Sequence, residues 1–185
     1  MDPTFNIIKN FRLDYTDSHR RSMIVEVLDQ YKARQPVNAF NNGPYTSTIT
    51  HNFEVKPTTD FMRLYKNFEF HAVDSLNKFS LSKENQRRCW AFVSSRSNAP
   101  IYWHNHIETS SINGVYYLKV NEDERGILFA HEGKEYHYMP KNNDLIIFPN
   151  YLKHLPLPSL TATRISINME IITNEDVDTI FSVNS

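Results

Sequence analysis

Apolar positions along this chain follow two different periods, and the change falls near residue 88. Upstream, the stretch SHRRSMIVEVLDQYKAR places Met23, Val27 and Tyr31 on one helical face, with Asp17 and Ser18 able to cap its start and Pro36 to stop it. Residues 37 to 57 hold Asn-Asn-Gly-Pro and then the Thr-rich TSTITHNFEV, which predicts a turn followed by a short strand or two. Thr58, Thr59 and Asp60 then offer caps to FMRLYKNFEFHAVDSLNKF. There Phe61, Leu64, Tyr65, Phe68, Ala72, Leu76 and Phe79 form the apolar stripe of a second helix.

From Arg88 the period becomes two. The runs CWAFVSS, PIYWHNH, NGVYYLKV, GILFA, EYHYM, DLIIFP and TRISINMEII each read as a short β-strand. A close series of this kind predicts a sandwich or barrel, whose outer face can bury the apolar stripes of the upstream helices. The expected fold class is therefore mainly β, a barrel in the C-terminal half with N-terminal helices packed on its outer face. No repeat, low-complexity tract or linker divides the chain, so residues 1–185 read as one domain. Within it, 1–87 form a mixed helical buttress with the first strands, 88–172 the β core, and 173–185 a C-terminal tail.

Composition narrows the function classes. At 185 residues, 40% of them hydrophobic, the chain is long enough to bury a real core. Twenty Lys and Arg against 21 Asp and Glu leave a formal net charge of −1, without the basic excess of sequence-independent nucleic-acid binding. No apolar run approaches the roughly 20 residues of a membrane span, and MDPTFNIIKNFRLDY has neither the basic nor the apolar region of a signal peptide. A soluble, cytoplasmic protein is expected, with no nucleic-acid or membrane partner. The lone Cys89 excludes an internal disulfide and a multi-cysteine zinc site. Four scattered glycines exclude the common phosphate-binding loops. Aromatic residues, at 13%, and the eight histidines stand out.

The histidines carry the candidate chemistry. On a strand, His104 and His106 at i and i+2 project to one face, Glu108 continues that face, and His154 can close a metal shell from across the barrel. Two ligand sets follow: His104, His106 and His154, or His106, Glu108 and His154. The second includes a carboxylate, the ligand normally found with two histidines on non-haem iron. Both remain open at this point. In TRISINMEI, Arg164, Ser166, Asn168 and Glu170 share one face while Ile165, Ile167, Met169 and Ile171 share the other. Arg164 suits a buried, bidentate grip on a carboxylate, with the Ser166 hydroxyl beside it, although a solvated outer face would alternate in the same way. Tyr102, Trp103, Phe129 and Phe148 are candidates for aromatic walls that keep water from the metal.

The ordered string from Trp90 to Asn168, W…HNH…NGVYYLKV…GILF…PKNNDLIIFP…H…RISIN, resembles a family of 2-oxoglutarate/Fe(II) oxygenases whose pattern runs H-x-H, S-G-V-Y-Y, F-P, H, R-x-S. The likeness implies a double-stranded β-helix, or jelly roll, a cupin-like barrel with Fe(II) inside and 2-oxoglutarate as cosubstrate. By position, His104 and His106 match the first histidine pair and His154 the distal ligand. Arg164 and Ser166 match the clamp for the distal carboxylate of 2-oxoglutarate, and Tyr117, the second tyrosine of VYYL, matches a position whose hydroxyl joins that clamp. Tyr116 points the other way and belongs to the core. The implied reaction is hydroxylation of a small-molecule or peptide substrate with conversion of 2-oxoglutarate to succinate. Two departures are visible: the IETSSIN loop is slightly longer than the family's, and Asn113 stands where serine is usual.

The competing expectation is a cupin-like metal-binding or small-molecule-binding barrel without oxygenase activity. Cupins also pair H-x-H with a late histidine but add a glutamate four or five residues after the second, where this chain has Ser110 and Ser111. A third is an interaction module working through its N-terminal helices, which carry no strongly charged face. The HNH string is also shared with HNH nucleases, but their site residues are spread over a ββα unit and the neutral net charge lends no support.

Overall fold

The layering of the molecule follows from the alternation of its last strand. A computed structural model describes residues 2–34, 45–50, 60–94, 102–122, 124–157 and 163–182. The strands are β1 (Lys9–Arg12), β2 (Tyr45–Thr50), β3 (Gln86–Ser94), β4 (Ile112–Lys119), β5 (Ile127–His131), β6 (Lys134–Tyr138), β7 (Asp144–Pro149), β8 (Lys153–Pro156) and β9 (Arg164–Ile172). The helices are α1 (Asp17–Arg34), α2 (Asp60–Ser75) and α3 (Val177–Phe181). Every strand pairing is antiparallel. A six-stranded sheet runs β1-β7-β4-β9-β3-β2, and a three-stranded sheet runs β6-β5-β8.

Two apolar clusters sit on opposite faces of the large sheet. On β9, Ile165, Ile167, Met169 and Ile171 join Met23 and Val27 of α1 and Phe61, Leu64, Tyr65, Phe68 and Ala72 of α2 in one buried core. On β4, Ile112, Tyr116 and Leu118 join the same core. Tyr117 turns instead into the second cluster, with Ile127, Phe129, Ile146, Phe148 and Leu152. The two adjacent tyrosines thus divide between faces as a period of two requires. The polar face of β9 is buried rather than solvated, since Arg164, Ser166 and Glu170 are all among the buried polar residues.

The helices match the apolar spacing, with local differences. The Thr16 hydroxyl oxygen, not Asp17 or Ser18, accepts the His19 N–H at the start of α1, while Asp17 pairs with Arg20 one turn on. Leu76 and Phe79 follow the end of α2 and are still buried, so the core extends past the helix. Residues 173–182, expected as a tail, include α3, whose Ile180 and Phe181 are buried in the helix-side core. β1 and β8 are strands that the apolar pattern did not mark; each has four residues. PIYWHNH is not a strand over its described part, where His104 makes a single isolated bridge. Pro36, the Asn-Asn-Gly-Pro turn, residues 51–57, Thr58 and Thr59 lie outside the described residues, as does the side chain of Tyr31.

At Gly114 the Phe68 ring of α2 packs directly on the backbone of β4. A Cβ there would meet Phe68 Cε2 at 2.5 Å and Cδ2 at 2.6 Å, and Phe68 is fully buried. Because the ring has no free space to enter, Gly114→Ala is expected to cost about 1–3 kcal/mol in urea unfolding, the usual scale of overpacking. An unchanged midpoint and slope would show that the Phe68 ring relaxes freely.

Candidate metal centre

Three histidines meet at one end of the cavity between the sheets. His104, in an extended segment, and His154, on β8, exchange backbone hydrogen bonds: His104 N–H to the His154 carbonyl at 3.1 Å, and His154 N–H to the His104 carbonyl at 2.9 Å. The His106 N–H donates to the Asn150 carbonyl at 2.8 Å, which ties the same segment to the turn before β8. One ring nitrogen from each of His104, His106 and His154 lies within 4.8 Å of the others.

The chain turns at once after His106. Its carbonyl accepts the N–H groups of Thr109, at 2.9 Å, and Ser110, at 3.0 Å. That turn carries Glu108 outward, exposed and apart from the histidine group, so the same-face continuation expected of an unbroken strand does not occur. Of the two ligand sets that spacing allowed, the structure brings together the three histidines and not the set with Glu108.

The ring orientations follow from their partners. The His154 Nδ1 lies 3.0 Å from the Leu152 carbonyl and the His104 Nδ1 3.1 Å from the Tyr102 carbonyl. A carbonyl only accepts, so each Nδ1 carries the proton and each Nε2 keeps a lone pair. The His106 Nδ1 lies 3.2 Å from Glu170 Oε1, with the Thr109 hydroxyl at 3.4 Å. An Nδ1 facing a carbonyl or carboxylate is the arrangement that orients a metal-binding imidazole. Burial, with the neighbouring His104, holds the His154 pKa down to about 3. Desolvation also lowers that of His104. Both rings are therefore neutral near pH 7, the form that donates a lone pair.

The adjoining cavity has a volume of about 300 Å³. Trp90, Phe92, Val115, Phe148 and Pro156 give it apolar walls, and Tyr117, Arg164, Ser166 and Glu170 also line it. Of the four aromatics expected to exclude water, Phe148 does line it, and Phe129 is buried with its ring centroid 6.2 Å from that of His154. Tyr102 and Trp103 are 70% and 40% exposed and face outward instead. The backbone of their segment joins β8 and the turn before it through His104 and His106, and the Tyr102 and Trp103 side chains lie outside the cavity lining.

Two acidic residues in and around this cavity had no assigned role in the sequence. Glu170, recognisable there only as part of a polar face, is buried with Oε1 beside His106 and Oε2 3.9 Å from Arg88 Nη1. Glu124 accepts a hydrogen bond from Arg164 Nη1 at 2.7 Å, with both side chains almost fully buried. Asn113 accepts from the Ser110 hydroxyl at 2.7 Å, and among the described residues its buried Nδ2 has no partner.

No protein-family model matches the chain, and no curated protein matches it either. Solved structures do. A prolyl-4-hydroxylase from Pseudomonas putida superposes with a TM-score of 0.66 over 91% of this chain and 93% of that one, at 12% identity. A prolyl hydroxylase from Trichoplax adhaerens, in complex with a hypoxia inducible factor oxygen degradation domain peptide fragment, gives 0.64 over 91% and 84%, at 17% identity. HygX from Streptomyces hygroscopicus, with nickel and 2-oxoglutarate bound, gives 0.64 over 90% and 82%, at 10% identity. At these identities the likeness is one of fold. Among the described residues, no helix is long and apolar enough to cross a membrane.

The neutral, buried His154 has a consequence for stability. Its ring has a pKa near 6.5 in an unfolded chain and about 3 here, so between those values the unfolded state binds the proton that the folded state refuses. Metal-free protein should therefore lose stability as pH falls from about 6.5 toward 3, with no such contribution above 6.5. Replacing His154 with Gln should flatten that acid limb in denaturant titrations at several pH values. An identical limb in the variant would mean that the ring is not held neutral by burial.

Proposed function

We propose that this chain is a non-haem Fe(II)- and 2-oxoglutarate-dependent dioxygenase, a hydroxylase built on a double-stranded β-helix. The observation that carries the reading is the convergence of His104, His106 and His154 on a cavity whose wall also presents Arg164 and Ser166 from the adjacent strand β9. In this reading the three histidines hold the iron, and Glu170 is a positioning residue that fixes the His106 ring. Arg164, Ser166 and Tyr117 receive the distal carboxylate of 2-oxoglutarate. The register sets Ser166 directly between Tyr117 on β4 and Phe92 on β3, so hydroxyls and guanidinium share one side of the sheet. When bound, Fe(II) with 2-oxoglutarate would supply the oxidising chemistry from O2, one oxygen atom going into a substrate C–H bond as hydroxyl and the other into succinate as CO2 is lost.

The chain's own residues contribute placement and dryness. Paired backbone hydrogen bonds hold two of the ligands, Phe148 and Phe92 limit water, and the buried Arg164 offers a planar fork for a carboxylate. The substrate class is a small molecule or a peptide side chain, small enough in its reacting part for a cavity of about 300 Å³. A free, buried Cys89 is compatible with a reducing cytoplasm.

Two observations favour a second reading, a cupin-like metal-binding barrel without oxygenase activity. Arg164 is already engaged by Glu124, and three imidazoles stand where a pair of histidines with a carboxylate is usual. Anaerobic titration with Fe(II) and then 2-oxoglutarate separates the two: the oxygenase reading expects a weak visible charge-transfer band and, on admitting O2, succinate. Arg164→Lys should weaken 2-oxoglutarate by about 1.5–3 kcal/mol while iron binding stays unchanged. Iron binding without band or succinate in the native protein would favour the cupin-like barrel.

A further inference from the structure

The Arg164 guanidinium, on which the proposed function places the cosubstrate's distal carboxylate, has a carboxylate of this chain on it. Glu124 Oε1 accepts from Arg164 Nη1 at 2.7 Å and also from the backbone N–H groups of Arg125, at 3.0 Å, and Gly126, at 2.9 Å. Among the described residues, its other oxygen, Oε2, is buried without a partner, and so is Arg164 Nε. The pair is thus held through a single carboxylate oxygen and leaves a buried donor and a buried acceptor without a protein partner among the described residues. An arginine fork bonds most strongly when it engages both oxygens of a carboxylate, and half-satisfied buried networks are weak points.

We propose that Glu124 is a specificity-determining residue, a tethered carboxylate that competes with the distal carboxylate of 2-oxoglutarate for Arg164 and so sets the affinity threshold for the cosubstrate. This rests on the oxygenase reading of Arg164. The tether is rigid at its C-terminal end. Gly126 has a φ of +73°, and a Cβ there would collide with the Tyr138 carbonyl oxygen. The Gly126 carbonyl accepts the Leu157 N–H at 2.9 Å. Exchange of carboxylates on Arg164 therefore proceeds by rotation of the Glu124 side chain, with the backbone near Gly126 held in place. A ligand with a distal carboxylate must offset the loss of that buried ion pair. A 2-oxo acid without one need not.

Glu124→Gln tests this, because the amide keeps an acceptor oxygen for the two backbone N–H groups while removing the competing charge. With Ni(II)-loaded protein, calorimetric titration compares 2-oxoglutarate with 2-oxobutyrate, which lacks the distal carboxylate. The expected result is 2-oxoglutarate bound at least about tenfold more tightly by the variant, the scale of a close charge pair, with 2-oxobutyrate unchanged. Equal affinities for 2-oxoglutarate in native protein and variant would overturn the competition and leave the oxygenase reading standing. Weaker binding by the variant would overturn it too, making Glu124 a support for Arg164. No 2-oxoglutarate binding by either, with nickel bound, would remove the oxygenase reading along with it. A second measurement needs no variant: saturating native Ni(II) protein with 2-oxoglutarate should speed amide hydrogen exchange at Arg125 and Gly126, whose acceptor leaves. Unchanged protection at both amides on saturation would contradict the displacement.

Discussion

The site depends on a pair of backbone hydrogen bonds between His104 and His154. These two residues are far apart in sequence, and only the reciprocal N–H to carbonyl exchange places their rings side by side, with centroids 4.1 Å apart. Each such bond is worth only about 0.5–1.5 kcal/mol net, but here the pair fixes position as well as contributing stability. His106 follows because its own N–H is anchored at Asn150, and the turn after it sends Glu108 away. Which side chain joins His106 and His154 in the cluster is therefore a consequence of where one short segment is pinned to β8.

Charge placement around the cavity follows a consistent logic. Burial keeps the His104 and His154 rings neutral, and the buried carboxylate of Glu170 lies beside His106. At Arg164, a buried cation needs a counter-charge, and Glu124 provides it. Apolar walls from Trp90, Phe92 and Phe148 keep the dielectric low between these groups, which strengthens each interaction and raises the cost of leaving any of them unpaired.

Much of the fold was legible because its periods are clean. The stripe of α2 and the alternation of β9 each match the buried residues, and Tyr116 and Tyr117 separate as their spacing requires. The four-residue β1 and β8 were not legible, since KNFR and KHLP are too short and too polar to show a period. His104, His106 and His154 were legible as candidates, but the choice between His104 and Glu108 was not. It turns on whether the chain after His106 continues as strand or bends, and Ile107, Glu108 and Thr109, where it bends, include no Gly, Pro, Asn, Asp or Ser to mark a turn. Glu124 and Glu170 were invisible as site residues for a different reason: their partners are set by strand register and by contacts between distant segments, which no local pattern encodes.

In the proposed function a three-histidine centre, closed by the His104–His154 bridge, binds the metal. Anaerobic Fe(II) titration of His104→Ala and Glu108→Ala tests it most directly, with the fold of each variant checked by circular dichroism. The expected result is loss of stoichiometric, tight iron binding in His104→Ala and native affinity in Glu108→Ala. Native affinity in His104→Ala, with the loss appearing in Glu108→Ala, would contradict the centre described here.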